Sequence, residues 1–506
     1  MALLNSIFSW VMKKRIHQIE LFVKHPHEVQ EELLKQLLRT AKNTEWGRQW
    51  DFDSITTYEE FKRRLPIQNY EDIKETVDRL MAGEQNLLWP SEIKWFSKSS
   101  GTTSSKSKFI PVSAEALEDC HFKAGKDMLS IHCYNHPYSK FFDGKSLMLA
   151  GSKSVNQLSS GSYYGDLSAI LVAHLPKWAG FRSTPDQKIA LMDEWEQKLE
   201  RIAEITIKEK VTSFTGVPSW MLVLAQKVLE KTNSQNLLEV WPSLELFLHG
   251  GVNFTPYRAQ FEKLIPSSDM NYLETYNASE GFFGIQDQSN SPEMLLMLDY
   301  GIFYEFIPMS EYGKENPKVI PLWEVEMGVN YALIITTNAG LWRYIIGDTL
   351  TFSSLGPYRF KITGRTKHFI NAFGEELIMD NAEKALQKAC QLTGAMIHEY
   401  TAAPVYLNDG DSGAHEWCIE FVTLPDNLEA FKKELDRGLM ALNSDYEAKR
   451  YKNLVLNPPI VRIARKGLFY DWMKKRDKLG GQNKVPRLSN ERKYLEDILT
   501  LNHLYV

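Results

Sequence analysis

Paired cysteines, runs of like charge and long apolar stretches are all missing from this chain, and each absence removes a class of function. Its four cysteines, Cys120, Cys133, Cys390 and Cys418, lie far apart with no C-x-x-C spacing. That pattern fits reduced thiols and a cytoplasmic location better than a disulfide framework or a zinc site. With 59 basic and 64 acidic residues the formal charge is −5, and no block of one sign forms a tail. Nucleic acid is therefore not an expected partner. No segment approaches the ~20 apolar residues that a membrane span needs, so no integral membrane contact is expected. Leu3, Leu4, Ile7, Phe8 and Val11 could form one apolar helix face, but Lys13, Lys14 and Arg15 follow it, opposite to the order in a signal peptide. Neither the Walker spacing nor a G-x-G-x-x-G after a strand occurs, which removes the two commonest nucleotide loops.

What is present suits a large folded protein. A hydrophobic share of 43% with 12% aromatics argues against disorder. Its 506 residues exceed what one core organises, so two or more domains are expected. Helical periodicity runs through Val29, Leu33, Leu34, Leu37, Leu38 and Ala41. Thr57 with Glu60 reads as a capping box for a helix that Pro66 stops, and Glu71 to Met81 reads as a further helix ending at Gly83. Later, short apolar runs (146–150, 211–215, 244–248, 333–337) alternate with helical patterns, including 186–207 and one starting at Pro218, which predicts α/β layers with a substantially parallel sheet. Near Thr363 the character changes. A strand over 359–362 broken by Gly364, a hairpin over 369–378, a helix over 380–391, a strand over 417–422 and a helix over 428–442 predict a compact α+β unit. The expected division is 1–364 and 365–506.

Four stretches carry polar residues that local structure does not demand. The first, Trp95 to Val112, is dense in Ser and Thr around Gly101, with Lys98, Lys106 and Lys108. Composition leaves it open as a solvated loop or as a nest for a polyanion. The second, Thr275-Tyr276-Asn277-Ala278-Ser279-Glu280-Gly281, sets an aromatic ring and a carboxylate at a turn; Tyr276 could stack on a purine, and Glu280 could ligate Mg²⁺, or the turn could simply be solvated. The third, Trp342 to Asp348, reads as a strand whose end presents Asp348, either as a ribose acceptor or as turn chemistry. The fourth, Gly480 to Leu488, presents Lys484 from a loop of glycines, amides and a proline.

In this order the stretches resemble the acyl-adenylating enzymes: acyl-CoA synthetases, luciferases and peptide-synthetase adenylation domains. Within them the sequence is similar to the auxin-responsive acyl acid-amido synthetases and their bacterial relatives. Tyr70-Glu71-Asp72-Ile73-Lys74, Ile93 through Thr103, the Tyr-Asn-Ala-Ser-Glu run, the Tyr-Ile-Ile-Gly-Asp run and Asn483-Lys484-Val485-Pro486-Arg487 carry the likeness. Asn277 stands where the family has glycine and Ile345 where plant members often have arginine. Gly364-Arg365-Thr366-Lys367 resembles the superfamily's hinge.

The resemblance implies an α/β fold, with a large N-terminal acyl-adenylating domain of layered β-sheets and flanking helices and a small mobile α+β C-terminal domain carrying the catalytic lysine. It implies an ATP-dependent acid–amino acid ligase that uses Mg²⁺ and releases AMP and pyrophosphate. Ser99, Ser100, Gly101, Thr102, Thr103, Ser104 and Lys106 would grip the phosphates. Gly250, Gly251, Tyr276, Asn277, Ser279, Asp348 and Arg365 would hold adenine and ribose, Glu280 the metal and Lys484 the reacting carboxylate and α-phosphate, with Lys367 as pivot. Tyr163, Tyr164 and His174 are candidates for the acid site. The expected partners are a small carboxylic acid and an amino acid, with coenzyme A as the alternative acceptor; a nucleotide-binding protein without turnover is the alternative of another class, against which the presence of Lys484 and Glu280 counts. Oligomeric state is not legible, and neither is the acid.

Overall fold

The chain opens in helices for reasons visible residue by residue. In the computed structural model, which describes all residues except 1–13, 100–107, 151–154, 193, 252–253, 290, 367–368, 371, 374, 376, 408–411, 444–445, 448–449, 451–455, 477, 480–483 and 504–506, helix Pro26–Ala41 buries Leu34, Leu37, Leu38 and Ala41 along one stripe and starts on proline. The Thr57–Glu60 capping box is formed, and helix Tyr58–Arg64 ends at Leu65, whose backbone is extended ahead of Pro66. A second capping box, Asn69 with Asp72, starts helix Tyr70–Met81, and Gly83 at φ 105° lets the chain turn away. The apolar N-terminal face over 3–11 lies outside the described residues.

One twelve-stranded sheet forms the frame of the larger part. At one end Ser183–Thr184, Lys145–Met148, Val211–Gly216, Leu246–Gly250 and Asn271–Ala278 pair in parallel. From Asn271–Ala278 onward every pairing is antiparallel, out to Ile320–Pro321 at the far edge. The substantially parallel sheet expected from the alternation is thus only half realised. Parallel neighbours need a crossover, and the helices Trp195–Thr206, Pro218–Thr232 and Thr255–Leu264 supply it; beyond Ala278 the connections shorten and hairpins follow. Strand Asn271–Ala278 is the seam, with a parallel neighbour on one side and an antiparallel one on the other.

A four-stranded sheet sits apart, with Trp95–Ser99 antiparallel to Lys108–Val112 and parallel to Tyr163–Gly165. Two further expectations are corrected in detail. The helix expected over 186–207 is two, Gln187–Ala190 and Trp195–Thr206, because Asp186 and Glu194 each cap a new start. Gly364 does not break its strand, which runs on as Tyr358–Arg365.

After residue 365 a second set of cores begins. Strands Phe369–Ile370 and Leu377–Ile378 make the expected hairpin. Met396–Leu407, Ser412–Thr423 and Ile460–Ala464 form a three-stranded sheet. Helices Met379–Thr393 and Leu428–Leu442 pack together on it through Ala385, Leu386, Phe431, Leu435 and Leu439. Helices Leu468–Lys475 and Lys493–His503 cover the remainder around Trp472 and Ile498. Among the described residues no helix is long and apolar enough to cross a membrane. The four cysteines are unpaired, and burial pushes their thiols up to about 11 or 12.

Candidate active site

Strand Leu246–Gly250 delivers two glycines to the carboxyl end of the parallel half, the edge where such sheets present their loops. Gly250 lies opposite Thr275, and a Cβ there would fall 2.5 Å from the Thr275 carbonyl and 2.7 Å from its Oγ1. Only glycine permits this approach. Gly251 follows at φ 81°, a left-handed backbone that glycine adopts without strain. Thr275 fixes the junction further by donating its hydroxyl to the His249 carbonyl at 3.0 Å.

The seam strand carries Tyr276 and Asn277, and the turn after it carries Ser279 and Glu280. Tyr276 is 6% exposed, with its ring against Phe283 and Phe360. What it directs toward the site is its hydroxyl, which donates to Asp348 Oδ2 at 2.6 Å. Asn277 sits beside Gly250. Ser279 is buried and accepts a 2.9 Å hydrogen bond from Ser97, on the strand that leads into the hydroxyl-rich loop.

Asp348 does not stand at a strand end. Strand Tyr344–Leu355 continues past it, and Gly347 at φ 93° supplies the local irregularity. Asp348 lies opposite Arg365 in register, and the guanidinium Nε donates to Oδ1 at 2.6 Å. Burial raises the Asp348 carboxyl, but Arg365, the Tyr276 hydroxyl and Lys484 together outweigh it, so the net shift is downward and the group is ionised. Arg365 is correspondingly held charged, chiefly by Asp348.

Lys484 reaches this cluster from 119 residues beyond Arg365 in the sequence. Its Nζ lies 3.6 Å from where a Cβ on Gly251 would be, with Val217 at the same distance from that point. Although solvent reaches the side chain, surrounding protein pulls the ammonium down to about 8, helped by repulsion from Arg365 and opposed by Asp348.

Glu280 is half-buried at its turn, and burial raises its carboxyl while Lys108 opposes that effect. Among the described residues no group of three or more acids, histidines or cysteines could cage a metal. A single carboxylate suits Mg²⁺, which binds through one or two carboxylates, waters and substrate phosphates. The residues present fit that ion.

Of the hydroxyl-rich stretch, the two flanking strands are described. Ser99 closes strand Trp95–Ser99, and its register partner Lys108 opens the next strand. Ser100, Gly101, Thr102, Thr103, Ser104 and Lys106 lie outside the described residues, as does Lys367. Tyr163 stacks on Trp95 at 4.6 Å, Tyr164 meets Phe109 edge-on at 5.3 Å, and His174 meets Trp95 edge-on with its Nδ1 on the Ile170 carbonyl at 2.8 Å. All three pack against the four-stranded sheet, on Trp95 or Phe109.

Sequence reasoning missed the pairing of Tyr276, Asp348 and Arg365 and the Ser97–Ser279 bond. Asp348 and Arg365 did have a local signal, since two strands joined by a short turn place such residues opposite each other.

Comparison with known proteins gives the family. The GH3 family N-terminal domain matches residues 15–270, the central domain 295–365 and the C-terminal domain 380–493. Indole-3-acetic acid-amido synthetase GH3.4 of Arabidopsis thaliana is 24% identical, over 94% of this chain and 91% of that one. The 4-substituted benzoates-glutamate ligase GH3.12 of the same plant is 22% identical over 96% of both chains. Among solved structures, the GH3.15 acyl acid amido synthetase superposes with a TM-score of 0.79 at 18% identity, covering 96% of each chain, a likeness of fold. Family models spanning most of the chain, with every motif in order, place it: the chain belongs to the GH3 family of acyl-adenylate-forming enzymes.

Proposed function

We propose that the chain is an ATP-dependent acyl acid-amido synthetase. One observation carries the reading: Lys484, from the C-terminal part, stands over Gly251 beside the Tyr276–Asp348–Arg365 cluster. In the first half-reaction a carboxylate oxygen of a small acid attacks the α-phosphorus of ATP; the bond to pyrophosphate breaks and an acyl-adenylate forms. In the second, an amino acid's amine attacks the acyl carbonyl, a C–N bond forms, AMP leaves and the amine proton is lost.

The first step brings two anions together, and the chain's own residues oppose their repulsion. Lys484 bridges the attacking carboxylate and the α-phosphate, a contact realised fully as charge develops. The loop from Ser99 to Lys106 holds the β- and γ-phosphates. Glu280 would hold Mg²⁺, whose charge, when bound, neutralises the departing pyrophosphate. Gly250 and Gly251 let the nucleotide lie against bare backbone, next to Asn277 and Ser279. Asp348 accepts the ribose hydroxyls, ionised and oriented by Tyr276 and Arg365. Residues 1–364 and 365–506 act as two bodies that turn about Lys367, withdrawing Lys484 so that the amine can enter.

Pyrophosphate release across a panel of carboxylic acids, with amino acids or coenzyme A as acceptors and mass spectrometry of the products, tests this. Acid-dependent release with an amide product is expected. A thioester as the main product would replace the acceptor, and no acid-dependent release in any combination would overturn the reading.

A further inference from the structure

Three residues after Lys484 stands a buried arginine that none of this chemistry uses. Arg487 is 5% exposed and spends its donors on three partners: Nη1 on Glu383 at 2.6 Å, Nε on Glu399 at 3.0 Å and Nη2 on the Tyr257 hydroxyl at 2.8 Å. The rings of Tyr257 and Tyr400 lie 5.8 and 5.3 Å from its guanidinium carbon. Glu383 and Glu399 belong to the C-terminal part, on helix Met379–Thr393 and strand Met396–Leu407. Tyr257 belongs to the other part, on helix Thr255–Leu264, the first helix after Gly251.

The backbone around Arg487 is fixed as firmly as its side chain. Thr401 donates to the Pro486 carbonyl at 2.6 Å, Ala402 N–H to the Arg487 carbonyl at 2.8 Å and Ser489 N–H to the Ala402 carbonyl at 3.1 Å. Residues 486–489 therefore lie along strand Met396–Leu407, which tethers Lys484, two residues upstream, to that strand. Whether Lys484 reaches Gly251 depends on how this strand sits on helix Thr255–Leu264. Across that contact run the Tyr257–Arg487 bond, a 3.4 Å bond from the Tyr257 hydroxyl to Glu399, and a 3.2 Å bond from Gln260 to the Ile397 carbonyl.

We infer that Arg487 is a positioning residue for Lys484, and that its bond to Tyr257 is a latch favouring the arrangement in which Lys484 faces Gly251. The inference rests on the two-body reading above. Within the C-terminal part the two glutamates compensate the guanidinium, so they travel with it; Tyr257 is the partner left behind when the parts turn. The latch thus favours the first half-reaction and has to open for the second.

Tyr257→Phe removes one hydroxyl and keeps the ring, whereas removing Arg487 would strand the buried Glu383 and half-buried Glu399 carboxylates and endanger the fold. In Tyr257→Phe, which loses the hydroxyl's bonds to both Arg487 and Glu399, acid-dependent pyrophosphate exchange is expected to fall about tenfold or more. Aminolysis of separately supplied acyl-adenylate is expected to stay level or quicken. Equal losses in both half-reactions, or no loss in exchange, would overturn the latch. A readout free of chemistry accompanies this: fluorescent labels at Tyr138→Cys and Leu424→Cys, both exposed sites, in a Cys390→Ser background. The population at this structure's separation should drop in Tyr257→Phe, and an unchanged population would overturn the proposal. If the parent protein showed no exchange with any acid, the proposed function would fail, while the label distances would still decide the latch.

Discussion

Lys484 combines reach and charge in a way that pH can probe. Crowding by protein and by Arg365 brings its ammonium to about 8, so it is charged below that pH and neutral above it. A bridge between two anions needs the charged form. The kcat/KM for acid-dependent pyrophosphate exchange, which reports free-enzyme ionisations, should therefore fall on an alkaline limb near pH 8. Lys484→Arg, always protonated, should lose that limb even if its rate is low. A limb that persists unchanged in Lys484→Arg would assign it to another group. Tyr276 differs from its sequence reading in which atoms it presents. Its type and position were legible in the sequence as a ring for a purine, yet its ring lies in the core and its hydroxyl orients Asp348. A motif names the residue, while burial decides which of its atoms is presented.

Among the elements, the junction of strands Leu246–Gly250 and Asn271–Ala278 sets the floor of the site, and its spacing depends on having no side chain at Gly250. Gly250→Ala would press a methyl group against the Thr275 backbone carbonyl, a neighbour that cannot step aside. A destabilisation of about 1–3 kcal/mol is expected, together with weaker ATP binding. Gly125→Ala, on helix Lys123–Asn135 with nothing within 4 Å of the new Cβ, is the contrasting case and should be neutral or stabilising. Thermal unfolding and nucleotide titration of the two variants check this; equal effects would deny the junction its role. Elements were read best where signals are local, as with the Thr57–Glu60 capping box and helix Leu428–Leu442. They were read worst where neighbours decide. Asp348 looked like a strand end because Gly347 precedes it, but pairing with Tyr358–Arg365 carries the strand onward.

Over the whole molecule, the order of motifs conveyed what no single motif could. A Ser/Thr-rich loop, a Tyr-Asn-Ala-Ser-Glu turn, a Gly-Asp pair and a late lysine are each ambiguous; in sequence they mark one family and one fold. Composition could not reveal how the two parts meet, because Tyr257 and Arg487 are 230 residues apart and neither has a local reason to be buried. Long-range pairing of that kind is written only in three dimensions. The central claim is that Lys484 crosses from the C-terminal part to make the acyl-adenylate bond. Carboxylate-dependent ATP–pyrophosphate exchange in Lys484→Ala tests it most directly, with ATP affinity measured alongside. Exchange is expected to fall by at least ~10²–10³, the usual loss for one preorganised contact in the transition state, while ATP still binds; near-normal exchange in Lys484→Ala would contradict the account.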